Sequence, residues 1–232
     1  MHEFLLSGVA RSGEADPYYN NVNLLMPMSS SPFSDVKGLN VENQNVTLVS
    51  EGALFGGAAS FNGVDSVLRI VGNPLLAMDN AHFTQEIWVK PFSYPAAGRQ
   101  DIIFTTAPST GTQFAETTIG INLQPGGNVR VQSSYSVFLT GSRALPLNQW
   151  TLLSISRVAG NMYLFQNGNV DASGANNNVF SSTTEFLIGK EKFDLTDIGQ
   201  SFHGLACGMR ITKPIGRYSN NFPLPTEAWP RH

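Results

Sequence analysis

Charge is scarce in this chain. Only 13% of its 232 residues are Asp, Glu, Lys or Arg, about half the usual share. With so few charges, Ser, Thr, Asn, Gln and Gly must cover most of the surface, which suits a rigid β-protein packed in a larger assembly better than a freely diffusing enzyme. Basic clusters are also missing. The net charge is −3, and the arginines, among them Arg69, Arg99, Arg130, Arg143, Arg157, Arg210 and Arg217, are scattered. Nucleic-acid binding needs a concentrated positive footprint, so nucleic acid is excluded as a partner, and attraction to acidic membranes with it. Cysteine is nearly absent: Cys207 stands alone and excludes a disulfide-stapled secreted domain. No apolar run approaches membrane-spanning length, so no membrane insertion is expected. The opening residues lack a basic segment and carry a short apolar core, Phe4-Leu5-Leu6, unlike a signal peptide. The expectation is synthesis and folding in a reducing cytoplasm without signal-peptide secretion. The sequon Asn45-Val46-Thr47 is then a chance match.

Helical periodicity is nearly absent as well. What is present is alternation, rich in β-branched and aromatic residues, from Val22 onward. It predicts strands over 22–26, 46–49, 58–61, 67–71, 83–91, 101–105, 117–123, 128–133, 137–140, 150–157, 161–166, 169–173, 185–189 and 201–211. Gly, Asn, Pro or Ser bound each one. Hairpin turns are expected at Pro125-Gly126-Gly127-Asn128, at Ala159-Gly160 and at Asn167-Gly168, a type I′ signal. Hydrophobic residues make up 41% of the chain, enough for a sizeable core. The fold class expected is all-β, a two-sheet antiparallel jelly-roll sandwich. Residues 1–19 read as an N-terminal arm or a disordered lead, and residues 20–232 as one domain, since no linker divides them.

Several segments carry a family likeness. Phe-Asn-Gly stands at 61–63, Phe-Thr-Gln-Glu-Ile-Trp-Val at 83–89, Gln-Trp-Thr-Leu-Leu-Ser-Ile-Ser-Arg at 149–157, Asn-Gly at 167–168 and Phe-Leu-Ile-Gly at 186–189. A C-terminal punctuation follows: Arg210-Ile-Thr-Lys-Pro214, then Gly216-Arg217-Tyr218, then Asn220-Asn-Phe-Pro223. Over about 20–230 these resemble the laminin-G-like branch of the concanavalin A-like lectin superfamily. The ending is similar to that of versions carried on bacteriophage structural proteins. The resemblance implies a concanavalin A-like jelly roll. It also implies that Arg217 binds carbonyls or a carboxylate while Tyr218 packs over the sandwich.

Few residues suit catalysis. A glycosidase needs two carboxylates at a fixed separation; Glu86 stands alone, and Glu185 and Glu191 span the end of a strand. His203 lies between Phe202 and Gly204 without a nucleophile elbow, so hydrolase chemistry has no support. No zinc-ligand spacing is present. Trp88 and Trp150 fall in strand patterns and are expected in the core; Trp229 is expected as a lid packed on the sandwich or as an interface residue. Tyr94 and Tyr135 are candidate sugar or interface contacts, and Asn62 and Asp65, in an Asn-Gly-Val-Asp turn, are candidate ligand-binding oxygens. No cofactor is expected except calcium, which takes several oxygen ligands. Residues 186–194 resemble the pentraxin segment that supplies such ligands, which implies Glu191 and Asp194 as metal ligands. The region 110–116 lacks the Asp-Asn pair that pentraxins add.

The expectation is therefore a non-enzymatic virion structural or accessory protein, a phage head decoration or tail component. Its lectin-like domain would adhere to host-surface glycans or pack on sister subunits and other virion proteins, as a homo-oligomer. The alternatives are a non-viral bacterial carbohydrate-binding lectin module and a polysaccharide hydrolase.

Overall fold

The structure is a computed structural model that describes residues 15–107, 118–133, 136–181, 185–191 and 200–231. Its strands, in chain order, are β1 (Val22–Met26), β2 (Val41–Gln44), β3 (Thr47–Val49), β4 (Ala58–Asn62), β5 (Val67–Val71), β6 (Phe83–Pro91), β7 (Asp101–Ala107), β8 (Gly120–Leu123), β9 (Asn128–Gln132), β10 (Val137–Ala144), β11 (Thr151–Val158), β12 (Asn161–Gln166), β13 (Asn169–Ala175), β14 (Glu185–Ile188) and β15 (His203–Thr212). Among the described residues they form two antiparallel sheets. One runs β13-β12-β11-β6-β15-β4-β3, with β1 also pairing β15; the other runs β10-β9-β8-β7-β14-β5-β2. This is the expected two-sheet sandwich. No helix among the described residues is long and apolar enough to cross a membrane.

The predicted spans at 22–26, 67–71, 83–91 and 161–166 coincide with observed strands. β2 was not predicted. Its sequence, Val-Glu-Asn-Gln, is short and polar, and it lies at a sheet edge beside β5 with no residue fully buried. Burial therefore imposes no apolar alternation on it. The expected turns are present: Ala159-Gly160 and Asn167-Gly168 all adopt positive φ, as a type I′ turn requires. At Gly168 a Cβ would also collide with the Phe222 carbonyl.

Alternation along β6 explains the layering. Phe83, Ile87 and Val89 alternate onto one face of β6 and share a single core cluster with Phe104, Ile121, Val131 and Phe186 of the other sheet. Phe104 and Phe186 stack at 5.4 Å between centroids, a contact worth about 0.5–1.5 kcal/mol beyond area burial. Trp88 points the opposite way and is buried under Phe55, edge to face. Trp150 is half-buried, packs against the core and donates Nε1–H to the Gly52 carbonyl at 2.9 Å. Cys207 is wholly buried, and burial raises its thiol pKa to about 12; it packs as a small hydrophobe.

The outer face of the eight-stranded sheet is covered by the segments around Asp16 and after β15. After β15 the tail folds back: Tyr218 stacks on Phe222 at 3.6 Å, and both meet Phe165. Trp229 covers the Arg210 guanidinium at 4.5 Å, the lid of the two readings open from the sequence. Beneath this roof lies a buried ionic network. Arg217 grips Asp16 through two hydrogen bonds (2.9 and 2.7 Å), while Arg210 bonds both Asp16 (3.1 Å) and Glu86 (2.8 Å). The Tyr218 hydroxyl donates to Glu86 at 3.0 Å. Burial, reinforced by the Glu86 carboxylate, pushes the Tyr218 phenol well above its usual pKa, so it remains a donor. Asp16 thus sits on the sandwich, on the near side of the boundary drawn at 19/20 from the sequence.

At one end the sandwich is laced together by Asp171 of β13. Its Oδ1 accepts from the backbone N–H groups of Ser142 (3.3 Å) and Arg143 (3.2 Å) in β10, across the two sheets. Gly141 admits this approach, since a Cβ there would collide with the Asp171 carboxylate.

Removing one partner of a buried ion pair strands the other charge, at a cost of about 3–5 kcal/mol. Arg217→Ala is expected to lose stability of that order in guanidinium denaturation. Burial alone would raise the Asp16 pKa, but hydrogen bonds and charge from Arg217 and Arg210 hold it below 3.8. The stability that Asp16 contributes is therefore complete above that value and lost as pH falls through the lower folded-state pKa. The gap between wild type and Asp16→Asn should narrow over that acid range, read from denaturation midpoints against pH.

Candidate functional site

Among the described residues, a surface feature suited to a ligand is a cavity of about 570 Å³ at the end of the seven-stranded sheet. Gly98, Arg99 and Gln100 reach it from the β6–β7 connection, Gln124 and Pro125 from the end of β8, Arg130 from β9, and Gln200 from the approach to β15. Each arrives for a reason visible in the strand registers. Asn122 of β8 pairs with both Ile102 and Arg130, while Ile121 and Leu123 on either side face the core. Asn122 and Arg130 therefore lie on the outer face. Gln100 and Gln124 extend β7 and β8 beyond the Asp101–Leu123 pair. Gln200, at positive φ, is anchored by the Ile102 N–H donating to its carbonyl at 3.1 Å.

Four amides converge here. Gln100 Oε1 accepts from Nε2 of Gln124 (3.3 Å) and of Gln132 (3.1 Å), and Gln100 Nε2 donates to Gln200 Oε1 (3.3 Å). Gln100 is thus the hub joining four strand ends. Asn122, only 3% exposed, lies beside Arg130 on the same face. The Arg130 Nε–H is buried and has no hydrogen-bond partner. Asp101, next to Gln100, is half-buried, and burial alone raises its pKa to about 6.

Tyr94 lies beside this site rather than in it. Its hydroxyl donates to the Leu145 carbonyl at 2.6 Å, and its ring lies over Gly127, where a Cβ would come within 2.8 Å of ring atoms. Tyr94 thereby braces the turn that carries Gln124 and Pro125. Asn62 and Asp65 are brought together: Asn62 Nδ2 donates to Asp65 Oδ1, and Asn45 Nδ2 to Asp65 Oδ2, both at 2.8 Å. Asn62 Oδ1 also caps the N–H groups of Val64, Asp65 and Ser66. The oxygens of this turn are engaged in holding its own backbone. Glu191 ends the described stretch after β14; Asp194 and Tyr135 lie outside the described residues. Among the described residues no three His, Cys, Asp or Glu side chains are grouped to hold a metal. His203 is tied to Ser93 Oγ through Nδ1 at 3.0 Å and packs edge-on against Phe92.

The carboxylates considered for hydrolysis are engaged too. Glu185 and Glu42 flank Arg69 at 2.6 and 3.0 Å, and Glu86 lies in the buried network. The residues that sequence reasoning missed are Arg99, Gln100, Gln124, Arg130 and Gln200. The one available signal was glutamine just outside predicted strands, at 100, 124 and 200. Only the tertiary registers show that these ends meet.

The family model described as the Concanavalin A-like lectin/glucanases superfamily, of laminin G type, matches residues 56–213. The chain belongs to that superfamily. Comparison with curated proteins found no match. Among solved structures, the chain is similar to domain 4 of AbnA, an extracellular GH43 arabinanase from Geobacillus stearothermophilus in complex with arabinotriose. The TM-score is 0.63 and the identity 21%, over 84% of this chain and 95% of that one. It is similar to the binding domain of Paraclostridial Mosquitocidal Protein 1, with TM-score 0.67 and 13% identity, over 90% of this chain and 51% of that one. It is also similar to a mutant Trypanosoma rangeli sialidase displaying trans-sialidase activity, with TM-score 0.66 and 13% identity, over 95% of this chain and 35% of that one. The chain thus spans about half of the mosquitocidal binding domain and about a third of the sialidase. These likenesses show the fold.

Asp101 supplies a test of the site's electrostatics. Its folded-state pKa is raised, so the folded state loses relative stability as pH climbs from 3.8 to about 6. Asp101→Asn removes that loss. The variant should match wild type at pH 3 and exceed it by about 1–2 kcal/mol at pH 7, a figure reduced for the residue's partial exposure. Denaturation midpoints across this range provide the comparison.

Proposed function

We propose that the chain is a non-enzymatic carbohydrate-binding domain whose ligand occupies the groove centred on Gln100 and Arg130. The observation that carries this reading is the convergence of three glutamine amides, with Gln132 bonded behind them to Gln100, and an unpartnered Arg130 Nε–H on one polar cavity. Sugar hydroxyls both donate and accept, and each glutamine amide offers two N–H donors and a carbonyl acceptor. A cluster of such amides therefore fits the edge of a sugar ring. The cavity volume falls within the usual range for small-ligand sites. The superfamily description and the arabinotriose complex of the arabinanase domain support the same class of ligand. The engagement of Glu42 and Glu185 with Arg69, and of Glu86 with Arg210, supports binding without hydrolysis, which would need a free acid and base.

The biological setting that best accommodates this domain is adhesion at a virion surface, with the groove turned to host glycans and other faces packed on sister subunits. The similarity of the Arg210–Pro214 and Gly216–Tyr218 ending to phage structural proteins and the low charge content support it.

Purified protein is expected to retain oligosaccharides from an envelope and plant polysaccharide panel. Gln100→Ala is expected to weaken that binding about tenfold or more, since it removes the hub that orients three other amides. Its melting temperature should stay close to wild type. Full-strength binding by a well-folded Gln100→Ala variant would move the site elsewhere. Running the panel with calcium and with EDTA tests Glu191 and Asp194: binding lost in EDTA assigns them a metal, and binding retained removes that role.

A further inference from the structure

Apart from Arg231 in the exposed tail, the described arginines divide into two groups. Arg69 is held by Glu42 and Glu185, Arg143 by Asp171, Arg157 by the carbonyls of Asp79, Ala81 and Asn178, and Arg210 and Arg217 by the network around Asp16. Arg99 and Arg130 make no side-chain hydrogen bond or ion pair among the described residues, and both line the groove. Among the described residues no acidic side chain lines it with them. In a chain of net charge −3, the described lining of this groove carries positive charge alone. From this contrast we infer that the groove is built for an anionic glycan, one whose sugar carries a carboxylate that docks on the Arg130 guanidinium.

The physical case rests on what a ligand would relieve. A buried guanidinium N–H without an acceptor is costly, and a charged acceptor offsets that cost more than a neutral hydroxyl does. The guanidinium is a planar fork that matches a planar carboxylate through two parallel hydrogen bonds. Asp101 does not supply this acceptor: burial alone raises its pKa, with no cation lowering it. Arg99 is exposed on the rim and adds field without fixed geometry. The neutral amides of Gln100, Gln124 and Gln200 then hold the hydroxyls of the same or the adjoining sugar.

This inference rests on the carbohydrate-binding reading, and the experiment separates the two. Calorimetric titration of the full chain would compare an oligogalacturonate, its methyl ester and a sulfated oligosaccharide of similar length, at two salt concentrations. The acid is expected to bind about tenfold or more tightly than its methyl ester. Arg130→Gln should abolish that preference, and Arg130→Lys should keep only part of it, because an ammonium lacks the fork. Thermal unfolding of the variants establishes that they are folded; were Arg130→Gln unstable, the acid-to-ester comparison on wild type would decide alone. Equal binding of acid and ester would overturn the carboxylate assignment and leave a neutral glycan site standing. Binding of the sulfated sugar as tight as that of the uronate would overturn it in favour of charge without planarity. Failure of all three ligands, with the wider panel also blank, would remove the carbohydrate reading itself.

Discussion

The buried chain of charges from Asp16 through Arg217 and Arg210 to Glu86 is the interaction on which the rest of the molecule depends. Two carboxylates and two guanidiniums cancel in formal charge, and nearly every partner sits within hydrogen-bond distance of another. Taking four charges out of water is expensive, and only such geometry offsets the cost. The network joins residues about 200 positions apart in sequence, the 201 between Asp16 and Arg217. It fastens the segments around Asp16 and Arg217 onto the outer face of the eight-stranded sheet. Tyr218, Phe222 and Trp229 then complete an aromatic roof over charges that would otherwise meet solvent.

That choice of roofed face has a functional consequence. The protein's own tail covers part of the eight-stranded sheet. The groove lies on the seven-stranded sheet, at the end where β7, β8, β9 and the approach to β15 meet. The same separation governs the use of charge. Arg143, Arg157, Arg210 and Arg217 are satisfied by carboxylates or carbonyls, and Arg99 and Arg130 of the groove make no side-chain hydrogen bond among the described residues. Scarcity of charge makes the contrast matter, because few acidic residues are present to neutralise a guanidinium by chance.

Much of the sandwich was legible from residue order. β1, β5, β6 and β12 have alternation strong enough to fix their bounds, and the Asn167-Gly168 turn announces itself because those residues tolerate positive φ. The role of Arg217 and Tyr218, a carboxylate clamp and a ring packed over the sheet, followed from the family likeness and is met by Asp16 and Phe165. β2 was not legible, since a polar edge strand has no buried face to mark. The site was less legible still. Tyr94 looked like a free aromatic and instead braces the turn at Gly127. Asn62 and Asp65 looked like ligand oxygens and are bonded to each other and to their own turn.

The sequence by itself determined the class of fold, the absence of a disulfide framework and the apolar stripes that become the core, because alternation and composition are local properties of the chain. Only the tertiary structure decided which arginines are paired and which glutamines meet. Gln100, Gln124, Gln132 and Gln200 are spread over a hundred positions, and no local rule relates them. Their convergence follows from strand registers set by burial in the core, where a shift of one residue would turn every side chain to the other face.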